Sequence, residues 1–168
     1  MAPYIETVRL ILRPYRETDR AALVDILGRC DVSKWLSKVP YPFGAADVRI
    51  TCEDGSSRWP ETMGIERDGE LIGAVSGGAH VGYFLHPEAW GQGIATEATH
   101  AVVQFHFENT DIDAQHSDVF HGNDASRRVL EKAGFQPAGE GEVYCRAQDV
   151  KVPHTEYVLT RADWEAMH

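Results

Sequence analysis

Two glycines separated by one residue stand where an apolar run gives way to a helical pattern. The run from Val81 to Leu85 has strand character, Gly91 and Gly93 follow it, and the helical pattern continues to about Phe107. Glycine allows a positive φ and lets another group approach the backbone closely. The first amides of such a helix point unpaired N–H groups outward and carry about half a positive charge. The stretch therefore predicts a pyrophosphate cradle, and a plain strand–helix turn is the alternative.

A second polar pair opens a later helical segment. Asn123 is a good N-cap residue, Ser126 lies one turn further on, and Gly134 is a natural C-cap before Phe135. Side-chain oxygens at a helix start can bond local backbone groups or face a ligand. Both roles stay open for Asn123 and Ser126.

These two stretches, taken together, resemble one known family. The segment Trp90-Gly91-Gln92-Gly93-Ile94-Ala95-Thr96-Glu97-Ala98 is similar to motif A of the GNAT superfamily of acetyl-CoA-dependent N-acetyltransferases. The Asn123-x-x-Ser126 helix that ends in Lys132-Ala133-Gly134-Phe135 resembles the motif that follows it. Arg9-Leu10-x-Leu12-Arg13-Pro14 and Gly82-Tyr83-Phe84-Leu85-His86-Pro87 resemble the branch of the ribosomal-protein N-terminal acetyltransferases. The combination is far more specific than either glycine or asparagine motif alone.

The resemblance implies a fold and a co-substrate. The fold is α+β, a mixed, mostly antiparallel sheet with helices on both faces, known as the GNAT or acyl-CoA N-acyltransferase fold. We expect residues 1–168 to form a single domain of this kind. The strand that ends near Leu85 splays from the strand at 114–121, and the pantetheine arm of acetyl-CoA lies in that gap. The implied co-substrate is acetyl-CoA, without a metal, and the implied cofactor-binding residues are Phe84, Leu85, Gly91, Gln92, Gly93, Ile94, Ala95, Thr96, Asn123 and Ser126.

Two positions depart from the pattern of the superfamily. Trp90 stands where the motif usually begins with Gln or Arg, a change that a cradle made of backbone amides tolerates. Leu130 stands where many members carry the tyrosine that protonates the departing thiolate. Ser126 is the replacement seen in the branch that this chain resembles, and we expect it to be the partner of the thiolate or a ligand of the coenzyme A sulfur.

The implied reaction is direct transfer of the acetyl group to a primary amine, with the oxyanion held by a backbone N–H near Leu85. The amine must lose a proton before it attacks, so a general base or a water chain is needed. His80 and Glu97 are the catalytic candidates alongside Ser126, and His116 and Asp118 are further possible bases. Glu97 has a simple alternative role, since a carboxylate in the first turn of a helix is stabilised by the helix dipole.

The resemblance leaves the acceptor open between a small-molecule amine and a peptide N-terminus, and a homodimer is common in the family. A different class of function is a non-catalytic module that senses acyl-CoA with the same fold. A dinucleotide-binding oxidoreductase is a weaker alternative, because Thr96 occupies the place of the third glycine and no acidic strand end follows at the proper distance.

The elements that must position these residues follow from the local patterns. We expect a strand over 7–14, a helix over 17–27, an irregular segment over 29–60 with a helix over 47–54, and a hairpin at Asp68-Gly69. The hairpin leads through Gly77-Gly78 into the strand before the cradle. Beyond the long helix the expected elements are a strand over 114–121, a helix over 123–133, strands over 143–146 and 156–159, and a short helix from Arg161.

Composition narrows the class of protein. The 168 residues carry a net charge of −10, from 26 acidic and 16 basic residues, which argues against a nucleic-acid partner and suits a cationic acceptor. No apolar stretch approaches about 20 residues, so we expect no membrane partner. Three widely spaced cysteines without metal-ligand spacing suggest a reducing compartment and a cytoplasmic protein.

Overall fold

The computed structural model describes residues 4–50 and 62–168. Its strands are β1 (Ile5–Glu6), β2 (Ile11–Arg13), β3 (Thr62–Arg67), β4 (Glu70–Ser76), β5 (Gly82–Leu85), β6 (Ala114–Phe120), β7 (Gln136–Cys145) and β8 (Val150–Thr160). Its helices are α1 (Arg20–Leu27), α2 (Cys30–Ser33), α3 (Ile94–Asn109), α4 (Asp124–Lys132) and α5 (Arg161–Ala166). Short 3-10 turns at Glu17–Asp19, Ala45–Asp47 and Pro87–Ala89 complete the assignment.

The strands form two antiparallel sheets. One sheet has the order β1-β2-β3-β4-β5 and the other the order β6-β8-β7. The β3–β4 hairpin turns at Asp68 and Gly69, whose φ angles of 53° and 83° are the positive values that a tight hairpin turn needs. This hairpin and the mixed fold with helices agree with the sequence-based expectation.

Helices cover both faces of the first sheet because side chains alternate along β5. Phe84 packs with Leu23 and Ile26 of α1 on one face. Leu85 packs on the other face with Ile94 and Ala98 of α3. A second apolar cluster, built on Phe107, Leu130, Phe135 and Leu159, joins α3 and α4 to the second sheet.

The two sheets meet along a short seam between residues 78–81 and 115–117. The Val81 amide donates to the His116 carbonyl at 2.8 Å, and the His116 amide donates to the Ala79 carbonyl at 2.9 Å. The Ser117 hydroxyl donates to the Val81 carbonyl at 2.7 Å, and the Gln115 side chain donates to the Gly78 carbonyl at 2.9 Å. Beyond the seam β5 and β6 pair with different strands, so they diverge and leave a gap.

A buried ion-pair network fixes β2 against β3 and the following turn. The Arg13 guanidinium donates to Asp19 at 2.8 Å and 3.0 Å and also to Glu66, and all three side chains are buried. Burial raises the pKa of Asp19, but the bonds from Arg13 and the Arg16 amide outweigh it and bring that pKa below its ordinary value. Arg13 is therefore a structural residue.

Several expected boundaries were wrong. The strand expected over 7–14 is interrupted, because the Thr7 hydroxyl and amide bond Leu10 in a turn and only Ile11–Arg13 pair with β3. The irregular segment contains the helix α2, and the helix expected from Asp47 does not begin there, since the 3-10 turn ends at that residue. Residues 51–54 of that prediction lie outside the described residues. The closing strands are longer than expected, at Gln136–Cys145 and Val150–Thr160.

Within the described residues, no helix is long and apolar enough to cross a membrane.

Candidate active site

A cavity of about 500 Å³ occupies the gap between β5 and β6. Its walls come from four elements, the exposed side of β5, the start of α3, the end of β6 and one face of α4. Three side chains near α2, Val32, Trp35 and Leu36, form an apolar wall at one side.

The start of α3 offers unpaired amides to this cavity. Gly91 and Gly93 have φ angles of 71° and 75°, and Gly93 is an N-cap without a side-chain hydrogen bond. The first intrahelical bond of α3 runs from the Glu97 amide to the Gly93 carbonyl, so the amides before Glu97 have no helical acceptor. A Cβ at Gly91 would meet no heavy atom within 4 Å, so the turn has open space beside it. These features fit the pyrophosphate of a CoA ester.

Side chains from the segment between β1 and β2, from β3 and from the turn itself hold this turn in shape. Arg9 donates to the Gln92 carbonyl at 2.8 Å, and Arg67 donates to the Gln92 side-chain oxygen at 2.8 Å. The Gln92 amide group donates to the Glu88 carbonyl at 2.7 Å. The Gln92 side chain therefore braces the turn, and Gln92 is the one expected cofactor-binding residue that does not line the cavity.

The free edge of β5 provides a second set of backbone donors. The His86 amide donates to the Ile72 carbonyl at 2.8 Å, on the side of β4. Because amides alternate in direction along an antiparallel strand, those of Tyr83 and Leu85 face away from β4, toward the gap. The Leu85 carbonyl faces the same way and accepts a bond from the Trp90 indole at 3.1 Å.

A tyrosine–serine pair stands between β5 and α4. The Tyr83 hydroxyl lies 2.6 Å from the Ser126 Oγ and 3.0 Å from the Ser126 carbonyl oxygen. Burial raises the pKa of Tyr83 to about 12, although the bond to Ser126 partly lowers it. Tyr83 is therefore protonated at neutral pH and can donate to Ser126. Both residues line the cavity.

Asn123 acts as the N-cap of α4. Its Oδ1 accepts a bond from the Ser126 amide at 3.3 Å, and it also lines the cavity. Asn123 therefore caps the helix, as its sequence context suggests, and it lies where a ligand in the cavity could also contact it.

The structure does not bring the two expected bases to the cavity. Glu97 accepts bonds from the Thr7 hydroxyl at 2.6 Å and from the amide and side chain of Arg9 at 2.9 Å and 2.7 Å. His80 is exposed beside the seam, with its Nε2 4.0 Å from an oxygen of Asp118. Of the four residues named as possible bases, only Asp118 lines the cavity, and His116 does not.

Three residues of the site were missed from the sequence. Tyr83 lies 43 positions from Ser126, so no spacing rule joins them, and only the packing of β5 against α4 does. Arg128 and Lys132 line the cavity one helical turn apart on α4. They give the cavity positive charge, although the protein as a whole is acidic. Their four-residue spacing, which places two side chains on one helix face, is the signal in the sequence that could have found them.

A family model and a curated relative both indicate the same family of proteins. The family model described as "Acetyltransferase (GNAT) domain" matches residues 9–136. An uncharacterized N-acetyltransferase of Bacillus subtilis, YoaA, is 30% identical over 156 residues, which cover 83% of this chain and 86% of the relative.

Solved structures share the fold at lower identity. An acetyltransferase of the GNAT family from Bacillus anthracis aligns with a TM-score of 0.82 and 19% identity, over 95% of this chain and 99% of that one. RimL, a ribosomal L7/L12 alpha-N-protein acetyltransferase solved with coenzyme A, aligns with a TM-score of 0.77 and 16% identity, over 94% of this chain and 98% of that one.

Proposed function

The chain belongs to the GNAT acetyltransferase family, and from this premise we propose that it transfers the acetyl group of acetyl-CoA directly to a primary amine. The observation that carries the proposal is a single cavity that brings together the uncapped start of α3, the free edge of β5 and the Tyr83–Ser126 pair. RimL acts on a protein N-terminus, so a peptide N-terminus and a small-molecule amine are both acceptors to be tested.

The residues of the α3 turn are suited to hold the pyrophosphate. The free amides between Gly93 and Thr96 add to the positive end of a helix of 16 residues, which favours an anion. Arg128 and Lys132 line the same cavity and add two cationic side chains. The edge amides and carbonyls of β5 can then pair with the amide groups of the pantetheine arm, as a further strand would.

The thioester supplies the acetyl group, and the residues at the end of β5 and the start of α4 serve the transfer. The Leu85 amide is positioned to donate to the carbonyl oxygen as it gains negative charge. The amine nitrogen forms a bond to the carbonyl carbon, and the carbon–sulfur bond breaks. Ser126 donates a proton to the sulfur and takes one from Tyr83, which is reprotonated from water in the cavity, while the proton lost by the amine goes to solvent.

The proposal is tested by incubating the purified protein with acetyl-CoA and a panel of amines and peptides, and by measuring the release of free thiol. We expect thiol release with at least one acceptor and micromolar or tighter binding of acetyl-CoA by calorimetry. Binding without turnover on any acceptor would favour the acyl-CoA sensor instead. Absence of both binding and turnover would refute both functions.

A further inference from the structure

A histidine stands at the point where the chain leaves β5, and both of its ring nitrogens have partners. The His86 Nε2 lies 3.2 Å from a carboxylate oxygen of Asp25, which is on α1. The His86 Nδ1 accepts a bond from the Glu88 amide at 3.1 Å, so the His86 side chain caps the 3-10 turn Pro87–Ala89. One side chain therefore ties the end of β5 to a helix and to the turn that follows the strand.

These two contacts fix the position of the proton on the imidazole. A ring nitrogen that accepts a hydrogen bond carries no proton, so the proton of the neutral ring is on Nε2 and is donated to Asp25. The other oxygen of Asp25 lies 3.2 Å from the Arg29 guanidinium, one turn along α1. Polar contacts thus run from Arg29 through Asp25 and His86 to the backbone of the turn.

The His86 side chain faces away from the active cavity. Side chains alternate along β5, so His86 points to the same face as Phe84, toward α1. It lines a second cavity, of about 630 Å³, together with Asp25 and Glu88. It does not line the cavity that holds Ser126. His86 therefore cannot take the proton of the acceptor amine, and any effect of its side chain on the reaction must be indirect.

The backbone at His86 joins the two halves of the donor site. The residue before it, Leu85, directs its amide toward the thioester carbonyl, and the turn after it leads to the start of α3. The His86 amide donates to the Ile72 carbonyl at 2.8 Å, and the His86 carbonyl accepts a bond from the Ala89 amide at 2.8 Å. One acetyl-CoA must contact both halves, so the direction in which the chain leaves β5 determines how the thioester carbonyl meets the Leu85 amide.

The two halves are held by different side chains. The turn before α3 is braced by Arg9 and Arg67, whereas the end of β5 is tied to α1 through His86 and Asp25. We propose that His86 is a positioning residue, which aligns the Leu85 amide with the thioester carbonyl of the donor. This inference rests on the proposed acetyl transfer.

The first test compares His86→Ala with the wild-type protein. A misplacement of about 1 Å costs about 100-fold in rate, and the strand end should shift by less, so we expect kcat to fall about tenfold. The affinity for coenzyme A, measured by calorimetry, should stay unchanged, because this ligand has no thioester carbonyl. His86→Asn should recover most of kcat, since an asparagine oxygen can accept the bond from the Glu88 amide.

Substitutions on α1 test the ion pair without changing the strand. Asp25→Ala removes the acceptor of the His86 Nε2 and should lower kcat, by no more than His86→Ala does. Asp25→Asn keeps an acceptor oxygen and should restore kcat. Arg29→Ala is the matched control, because it removes the other partner of Asp25 and leaves His86 bound. An equal loss of kcat in Arg29→Ala would show a general effect on α1 and overturn the proposal.

The carbonyl group of bound acetyl-CoA provides a measurement that needs no turnover. A hydrogen bond to the thioester oxygen lowers the stretching frequency of the carbonyl. Infrared difference spectra with acetyl-CoA that is isotope-labelled at the carbonyl carbon report this frequency. We expect a lower frequency in the wild-type protein than in His86→Ala, and a frequency close to the wild-type one in His86→Asn.

The outcomes separate this inference from the function on which it rests. A frequency difference between wild type and His86→Ala, without turnover on any acceptor, would support the role of His86 and refute acetyl transfer. Equal frequencies, or equal kcat values, would overturn the role of His86, and turnover would then leave acetyl transfer standing. A joint loss of kcat and of affinity for coenzyme A would show that His86 only maintains the fold, and would also overturn the inference.

Discussion

At the scale of single residues, the hydroxyl pair of Tyr83 and Ser126 is the least expected part of the site. The sequence directed attention to Ser126 because Leu130 replaces the tyrosine found in many relatives. The structure places a different tyrosine, from β5, 2.6 Å from the serine. The chain thus supplies a phenol to this site from a strand instead of from α4.

We predict that Ser126→Ala and Tyr83→Phe each lower kcat by roughly 100-fold, the lower end of general acid effects. If the two hydroxyls act in series, the double variant should be little worse than either single variant. Steady-state thiol release measures the rates, and calorimetry with coenzyme A is the control for intact binding. Losses that multiply in the double variant would show that the two hydroxyls act separately.

Glu97 gives a prediction of pH-dependent stability. Partial burial raises its pKa, but the bonds from Thr7 and Arg9 outweigh it, so the pKa of Glu97 lies below its ordinary value of 4.5. Because the native pKa is depressed, the stabilisation is complete above the unfolded value and is lost as the pH falls through the native one.

We expect Glu97→Gln to lower the free energy of unfolding at pH 7, with a smaller difference between variant and wild type at pH 3. Urea denaturation at several pH values measures this difference. The Glu131→Gln variant, which breaks an exposed pair with Arg127, should show little change at either pH. A pH-independent loss in Glu97→Gln would contradict the ionic origin of the stabilisation.

At the scale of elements, the turn before α3 does more than connect a strand to a helix. Its two positive φ angles leave the first amides of α3 free, and Arg9, Arg67 and Gln92 hold it from outside. The turn is therefore fixed before any ligand arrives, which reduces the ordering cost of binding.

Gly91→Ala tests the turn. The left-handed conformation costs an alanine roughly 1–2 kcal/mol, and the methyl group meets no protein atom. It would instead occupy space beside the amides, so we expect about tenfold weaker binding of coenzyme A by calorimetry. Gly69→Ala is the control, since its φ of 83° also has open space around it, on the hairpin turn. It should lose similar stability and keep its affinity for coenzyme A.

The sequence predicted those elements whose signals are local. Asp68-Gly69 specified a hairpin, the glycine pair specified the strand–helix turn, and Asn123 specified the start of α4. The prediction from sequence failed where contacts between residues far apart in the chain determine the local structure. Thr7 and Arg9 leave the expected strand because they bond Glu97, about 90 positions away. Tyr83 was missed for the same reason, because only the packing of β5 against α4 brings it to Ser126.

At the scale of the whole molecule, two sheets share only a short seam, and the cavity lies where they part. Polar bonds between residues 78–81 and 115–117 join the two sheets at the seam, and the second apolar cluster also packs Val81 and Tyr83 with Val119 and Leu159. We expect the bonds of the seam to help set the width of the gap. A cytoplasmic location and a homodimer stay predictions, since a single chain tests neither.

Ser117→Ala removes one of these bonds and leaves the buried Val81 carbonyl without the hydroxyl donor. We expect a loss of about 1 kcal/mol in the free energy of unfolding, with weaker binding of coenzyme A. Ser76→Ala is the control, because the Ser76 hydroxyl bonds the Gly82 carbonyl within one sheet. Chemical denaturation and calorimetry measure the two effects. Unchanged affinity in Ser117→Ala would show that the seam does not set the width of the gap.

The bond between the Trp90 indole and the Leu85 carbonyl has an optical consequence. Trp90 is 46% exposed and lines the cavity next to the turn, whereas Trp164 stacks on Phe107 away from it. A ligand on the turn would displace water from the Trp90 ring and shift its fluorescence emission to shorter wavelength. The protein thus carries its own reporter of donor binding. Trp35 also lines the cavity, so Trp90→Phe should remove the part of the signal that arises at the turn and leave the part from Trp35, while enzyme assays continue to detect the ligand.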